Sequence, residues 1–473
     1  MARKGLAARD FDAAGAARRA GALRGALAAV AAVIALPAAA QTIEQEGDRV
    51  PGIPEASIAV NFPRDFGDPG GVRTALAGRG ITYAINYIGE VLGNPVGGFV
   101  QGTRYDGRLE VALTVDMQKA IGWPGLTFFT NGYQIHGQSI SALNLGVLMP
   151  VSFIEAMPAT RLFELWLEQQ LIGDNLTLRF GQLAADSEFA ISKAAGAFLN
   201  GSWGWPSIMG INLPDGGPAY PMAAPGARLA FKPNDNLGFL IGVFSGDPDG
   251  NCDPLVQECN PHGLLFPFTS PLLMYEADLN YNQGEGQLPG TLKLGAWRYF
   301  GSFEQQSVGN NGLPIGLVGV PGELAENDYG FYAILDQMIY RLPGEGDPKG
   351  VSVFGRFMTA PPDGNMIELY WEAGLTMNGL LASRPHDMLG IGFAYIGVSS
   401  QIIDYEKEQG FPVIPSFEGM LEVSYTAEIM KGFYLQPDFQ YFWNPGGHSG
   451  DPEDPTIAIP NAAVFGLRTT INY

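Results

Sequence analysis

From Ile81 onward the chain alternates apolar and polar side chains with a period of two, and no other feature constrains the fold as much. Successive side chains of a strand point to opposite faces, so strict alternation marks a segment between an apolar medium and water. In Ile81–Leu92 one face reads Ile81, Tyr83, Ile85, Tyr87, Val91 and the other Thr82, Ala84, Asn86, Glu90. Phe163, Leu165 and Leu167 oppose Glu164, Trp166 and Glu168, and Leu421, Val423, Tyr425 and Ala427 oppose Glu422, Ser424 and Thr426. The closing run sets Phe465, Leu467, Thr469, Ile471 and Tyr473 against Val464, Gly466, Arg468, Thr470 and Asn472. Runs of this kind fall at 81–92, 105–116, 125–137, 161–171, 176–182, 226–232, 237–244, 272–282, 290–300, 330–340, 350–359, 367–378, 387–399, 417–430, 432–443 and 462–473. The alternation is mixed at 226–244 and 290–300. An even number near sixteen predicts an all-β fold, a single transmembrane antiparallel β-barrel.

The connections carry a second pattern. Gly173-Asp174-Asn175, Pro233–Asn236, Gln283–Pro289 and Lys431-Gly432 are short, whereas 138–160, 183–225, 245–271, 301–329 and 444–461 are long; 360–366 breaks the rule. Short periplasmic turns alternating with long outer loops are the mark of an up-and-down barrel in the outer membrane, and a soluble β-sandwich has no reason to sort its loops by parity. The 64 Gly and 35 Pro suit a turn-rich strand protein. Mean hydropathy is +0.05. A helical membrane protein would be far more apolar, because each crossing helix needs roughly 20 apolar residues.

Before the first strand the chain divides in two. Residues 1–40 read as a cleaved signal peptide for export: Arg3, Lys4, Arg9, Arg18, Arg19 and Arg24 precede an apolar stretch, Gly25–Leu36, and Ala38-Ala39-Ala40 supplies the small residues of a cleavage site. Residues 41–80 read as an N-terminal periplasmic arm, extended or poorly ordered over the Pro-rich part 41–69 and with a short helix at Val72–Ala77; the barrel occupies 81–473. Removing 1–40 leaves 21 basic and 46 acidic residues, a net charge of −25. So acidic a surface excludes nucleic acid as a partner, since its binding needs Lys and Arg to displace counterions. Cys252 and Cys259, the two cysteines, sit in one loop and read in an exported protein as a local disulfide.

Several stretches, in this order, resemble the carbohydrate-selective porins of the OprB type. They are Asp68–Gly80 with the strand after it, Gly122-Trp123-Pro124-Gly125, Arg161–Gln170, Leu178–Gln182 with Phe189, Asp336-Gln337, Leu435–Tyr441 through Asn444–Gly447, and Gly466-Leu467-Arg468. The likeness spans about 70–473 and lapses at the 252–259 excursion, 301–329 and 445–461. The resemblance implies an outer-membrane porin of a Gram-negative bacterium passing monosaccharides such as glucose and similar small polar solutes by facilitated diffusion. It also implies loops folded inward near 138–225. Expected partners are sugar solutes, outer-membrane lipid and, through the C-terminal strand, the barrel-assembly machinery. The barrel is read as standing either alone or in a homo-oligomer.

A sugar channel needs hydrogen-bonding side chains, an aromatic surface for the pyranose ring and binding weak enough for release. Candidates on inward faces are Arg108, Glu110, Asp116, Glu164, Glu168, Arg179, Arg356, Glu368, Glu372, Gln436, Asp438 and Gln440. Any of them could equally brace the wall through ion pairs. The longest loop, 183–225, holds Phe189, Phe198, Trp203, Trp205 and Tyr220 with Lys193; it is expected to fold inward, with Trp203 or Trp205 either a stacking platform or packing. Asp247, Asp249, Asn251 and Asp253 are spaced like hard-cation ligands but lack the glycine position and terminal Glu of an EF-hand, so an acidic surface loop is expected. Neither metal nor other cofactor is expected: the four histidines are scattered and no phosphate-binding or nucleophile motif stands in its required context. The rival readings are a general or cation-preferring porin and a surface-binding, adhesive barrel.

Overall fold

The computed structural model describes residues 50–250, 259–309, 322–344 and 349–473. The signal segment 1–40, Cys252, Asn251 and Asp253 lie outside the described residues. Sixteen antiparallel strands close into one barrel, each paired to its sequence neighbours and β1 to β16. They run β1 Ile81–Val96, β2 Gly102–Asp116, β3 Leu126–Gly137, β4 Ala159–Ile172, β5 Leu176–Leu183, β6 Ala224–Asn234, β7 Leu237–Ser245, β8 Pro271–Tyr281, β9 Gly290–Gly309, β10 Gly322–Arg341, β11 Gly350–Thr359, β12 Ile367–Asn378, β13 Met388–Val398, β14 Phe417–Met430, β15 Phe433–Trp443 and β16 Ala462–Asn472. Closure gives every strand two partners, the condition for β-structure in hydrocarbon.

The alternation predicted from sequence is the alternation observed. Val91, Val111, Phe231, Ile241, Leu294, Phe331, Phe357 and Leu467 are exposed on the outer surface, while their neighbours Glu90, Arg228, Glu372 and Arg468 are buried inside. Two expectations change. The stretch 301–329 is not a loop throughout: β9 runs on to Gly309 and β10 starts at Gly322, so this hairpin is taller than its neighbours. Phe163 was expected on the face of Leu165 and Leu167, but a register shift in the β3–β4 ladder between Thr130 and Gly132 turns it inward, against Tyr133. A β-bulge places one extra residue in a strand and so inverts the alternation beyond it.

The arm also differs, over its described part, from the extended or poorly ordered chain expected. Short helical turns at Ile58–Asn61, Arg64–Gly67 and Pro69–Gly71 precede α1, Val72–Ala77. Asp68 holds the start of α1, accepting the amides of Arg73 (2.7 Å) and Thr74 (3.2 Å) and the Thr74 hydroxyl (2.6 Å). The Asn61 amide donates to Lys431 O (2.8 Å), joining the arm to the β14–β15 turn. Gly432 turns that corner at φ 74°, a conformation open to glycine. The seam itself is doubly held. Inside, Arg468 on β16 pairs with Glu90 opposite it on β1 (2.5 Å). At the periplasmic end, the Arg73 guanidinium lies over the rings of Tyr83 (4.1 Å) and Tyr473 (4.5 Å).

Candidate functional site

Two long loops enter the barrel. The β5–β6 connection, with its helical turn α3 at Ser207–Asn212, packs Phe189, Phe198, Leu199, Trp203, Ile208 and Met209 against inward apolar side chains of the wall. Those include Phe244, Trp297, Phe354, Tyr370, Met420, Phe442 and Val464, with Ile140, Leu145, Met149 and Val151 from the β3–β4 connection. A hydrophobic core therefore sits inside the barrel, chiefly against β7–β16.

Wall residues of both signs hold the loops. Arg356 on β11 donates to four loop carbonyls, Ala190 (2.6 Å), Trp203 (2.7 Å), Gly204 (3.2 Å) and Ser202 (3.3 Å), and pairs with Glu372 on β12 (2.8 Å). Glu422 on β14 accepts the amides of Leu199 (2.5 Å) and Asn200 (3.2 Å) and the Trp203 indole N–H (2.6 Å). Glu418 accepts from Leu148, Met149 and Gly446, Glu276 from Ala190, and Asp336 from Ser192, Lys193 and Ala194. Gln436 donates to Ala197 O (3.1 Å), and Gln440 to Val151 O (2.8 Å) and Asp438 (3.0 Å).

Hence Arg356, Glu372, Gln436, Asp438 and Gln440 are inward but buried under the loops. Trp203 is buried and stacked on Phe198 (4.5 Å), so it fixes the loop instead of presenting a free face; Trp205 is half-buried, its N–H on Gly216 O (2.9 Å). Asp116 caps a periplasmic turn of helix, α2 Met117–Ile121, accepting from Gln118 and Lys119. Glu368 accepts the amide and hydroxyl of Ser400, the first residue of α4, Ser400–Gln409. These two stand at opposite ends of the barrel, away from the other candidates.

The remaining candidates gather on the wall of β2–β6. Glu168 on β4 pairs with Arg179 on β5 (2.9 Å) and Arg228 on β6 (2.6 Å), and Glu188, from the entering loop, pairs with the same two arginines. Arg179 lies 3.9 Å over the Trp166 ring, which stacks on Phe129 (4.8 Å). Higher on the wall, Arg108 pairs with Glu110 (3.7 Å), and its guanidinium faces Tyr133 (4.7 Å), Tyr220 (5.3 Å) and Phe153 (5.5 Å). Glu110 accepts from Asn131 (2.7 Å), and Glu164 from the Ala184 amide (3.3 Å). Arg179, Glu168, Glu188, Trp166 and Glu110 keep part of their surface in the lumen. Charges alternate in sign here, two carboxylates against two guanidiniums, above and beside aromatic rings. The arrangement can hydrogen-bond and orient a small polyhydroxylated solute.

Residues 100–473 match the carbohydrate-selective porin family, OprB type. The chain belongs to this family. Among relatives it is 24% identical over 440 residues to Porin B of Pseudomonas aeruginosa, covering 85% of this chain and 90% of that one. It is 21% identical over 451 residues to the putative porin QuiX of Acinetobacter baylyi, covering 86% and 92%. The solved high-pH structure of Pseudomonas putida OprB shares its fold, with TM-score 0.75 and 22% identity over 86% of this chain and 98% of that one. The protein is thus an outer-membrane carbohydrate porin of Gram-negative type, and family and barrel point to a channel rather than an enzyme.

In this porin several site residues escaped the sequence reading: Arg228, Glu188, Glu276, Glu418 and Tyr133. Arg228 carried a signal, a lone charge between Ala227 and Leu229, but its strand lies in the mixed stretch 226–244. Glu188 had none, because a loop has no period. Asp247 accepts from the amides of Asp249 (3.0 Å) and Gly250 (2.9 Å), a turn of ordinary Asx type. Among the described residues no metal-holding cluster of His, Cys, Asp or Glu is assembled.

Proposed function

We propose that this porin passes monosaccharides such as glucose, and similar small polar solutes, by facilitated diffusion along the β2–β6 wall. The observation that carries the reading is the Glu168–Arg179–Arg228–Glu188 lattice beside Trp166. A guanidinium has five N–H donors, so Arg179, fixed by carboxylates and still partly exposed, retains donors for sugar hydroxyls. Each such bond is worth a net ~0.5–1.5 kcal/mol. Three or four of them approach the ~4 kcal/mol of millimolar binding, weak enough for release. Export by a signal peptide cleaved after Ala40, and insertion through the C-terminal strand by the assembly machinery, belong to the same reading.

Planar-bilayer conductance and liposome swelling test it. Added glucose should reduce the ionic current reversibly with millimolar half-saturation, and glucose should enter proteoliposomes. Current insensitive to glucose, with swelling no faster than for a non-sugar solute of equal size, would make the protein a general porin. A barrel without conductance would favour the adhesive reading.

A further inference from the structure

The N-terminal arm meets the barrel at the periplasmic end of the β1–β16 seam. Ile85 and Tyr473 exchange both ladder bonds there, Ile85 N–H to Tyr473 O (2.8 Å) and Tyr473 N–H to Ile85 O (2.7 Å). Tyr83, two residues back, lies beyond that last pair, and its carbonyl accepts from the Arg73 guanidinium instead (2.9 Å). The same guanidinium covers the rings of Tyr83 and Tyr473, which by alternation stand on the outer face with Val91 and Leu467. At its other end the arm lies against the β14–β15 turn. Asn61 donates to Lys431 O, and a side chain on Gly432 would strike Ile58 N at 2.1 Å. The arm thus runs along the rim beneath β15, β16 and β1. On that rim the outward residues Phe433, Ile471, Tyr473 and Tyr83 form the lower edge of the lipid-facing band.

The orientation of the arm follows from α1. Thr74, Ala77 and Gly78 border a cavity together with Thr82, Thr114 and Asp116 of the inner face. At roughly 100° per residue, Val72, Leu76 and Arg79 fall on the opposite side, away from the lumen. Val72 is exposed (52%), as are Phe62 (48%) and Phe66 (73%). Between 61 and 79 the exposed charges are Arg64, Asp65 and Arg79, a positive balance in a chain of net charge −21. We propose that this face of the arm docks on phospholipid headgroups of the periplasmic leaflet. Phe62, Phe66 and Val72 enter the interface, and Arg64 and Arg79 meet phosphate oxygens. Exposed apolar side chains beside basic ones are what an interfacial segment requires, and guanidiniums pair well with phosphate. The face is also continuous with the outer wall at Tyr83 and Tyr473, so the lipid that covers those rings is the occupant within reach.

This inference does not depend on what the channel passes. Phe66→Cys and Val72→Cys porins are folded, labelled with bimane and placed in vesicles of phosphatidylcholine and phosphatidylglycerol. Glu285→Cys, in the exposed β8–β9 turn, is the reference, and the unsubstituted porin labelled alike gives the background. Phospholipid carrying a spin label at its headgroup should quench bimane at 66 and 72 and leave 285 bright. Aqueous iodide should do the reverse. Spin-labelled phosphatidylglycerol should quench position 66 more than spin-labelled phosphatidylcholine does, and Arg64→Gln with Arg79→Gln should abolish that excess. Iodide quenching at 66 and 72 as strong as at 285, with none by lipid, would overturn the proposal and leave the face to a soluble periplasmic partner. Equal quenching by the two lipids would overturn the contact between arginines and phosphate. A porin indifferent to glucose would still show the lipid quenching, so failure of the sugar reading would be told apart.

Discussion

Arg356 shows how a charged residue inside a barrel comes to serve structure. Its side chain is fully buried, shared between Glu372 and four loop carbonyls, and the Tyr370 hydroxyl donates to Glu372 behind it. Removing one partner of such a pair leaves the other charge buried and unpaired, at a cost of about 3–5 kcal/mol. Arg356→Met should therefore free the base of the excursion while the strands, with their own ladders, stay closed. Expected are noisier single-channel currents and proteolytic cleavage within 190–204. Arg356→Lys should restore little, because a point charge cannot reach separated carbonyls as a planar fork does. A quiet, protease-resistant Arg356→Met channel would show that the apolar contacts and the remaining polar anchors hold the loop without Arg356.

At the scale of elements, the arm offers a separable case. Asp68 accepts three hydrogen bonds at the start of α1, and its bond from the Thr74 hydroxyl, with those from the two amides, holds its carboxyl below the usual range. A depressed folded-state pKa means stabilisation present above the unfolded value, near ~3.9, and lost as pH falls through the folded one. Acidification below about pH 4 should loosen the arm before the barrel opens. Arg73→Ala, which removes the guanidinium between Tyr83 and Tyr473, should lower the temperature of the folded-to-unfolded gel shift and leave conductance unchanged. Equal gel-shift temperatures would mean the arm adds nothing to the seam. The arm also marks where the sequence was legible. The strands were, since lipid outside and water inside impose a period of two whatever the partners. The inward faces were read less well: Phe354, Tyr370, Met420 and Phe442 are apolar where a water-filled lumen calls for polar groups. Their partners lie in loops distant in sequence, and no local pattern announces a core built inside a barrel. For the same reason Gln440 and Arg356 read as lumen residues although loops cover them, and the sequence left Trp203 open between a stacking platform and packing, of which the structure shows packing.

For the whole molecule the question is what 48 acidic against 27 basic residues do to the ions that pass. A lumen lined by free carboxylates would be strongly cation-selective. Here five inward carboxylates, on Glu164, Glu276, Asp336, Glu418 and Glu422, accept backbone amides of the loops, and most of these groups are buried from the passage. The lattice left beside the passage is balanced, Glu168 and Glu188 against Arg179 and Arg228. Those five carboxylates thus serve the loops, and exposed charges farther than a Debye length of ~8 Å from the path are screened at physiological salt. In a tenfold KCl gradient the reversal potential should fall well short of the roughly 59 mV of an ideally selective pore. Glu168→Gln removes one charge shared by both arginines, so the potential should move toward anion preference, and the ring of a passing sugar should meet a less rigid Arg179. A potential near the ideal cation value, unmoved by Glu168→Gln, would mean that ions take a path elsewhere in the barrel and that the β2–β6 wall does not line it.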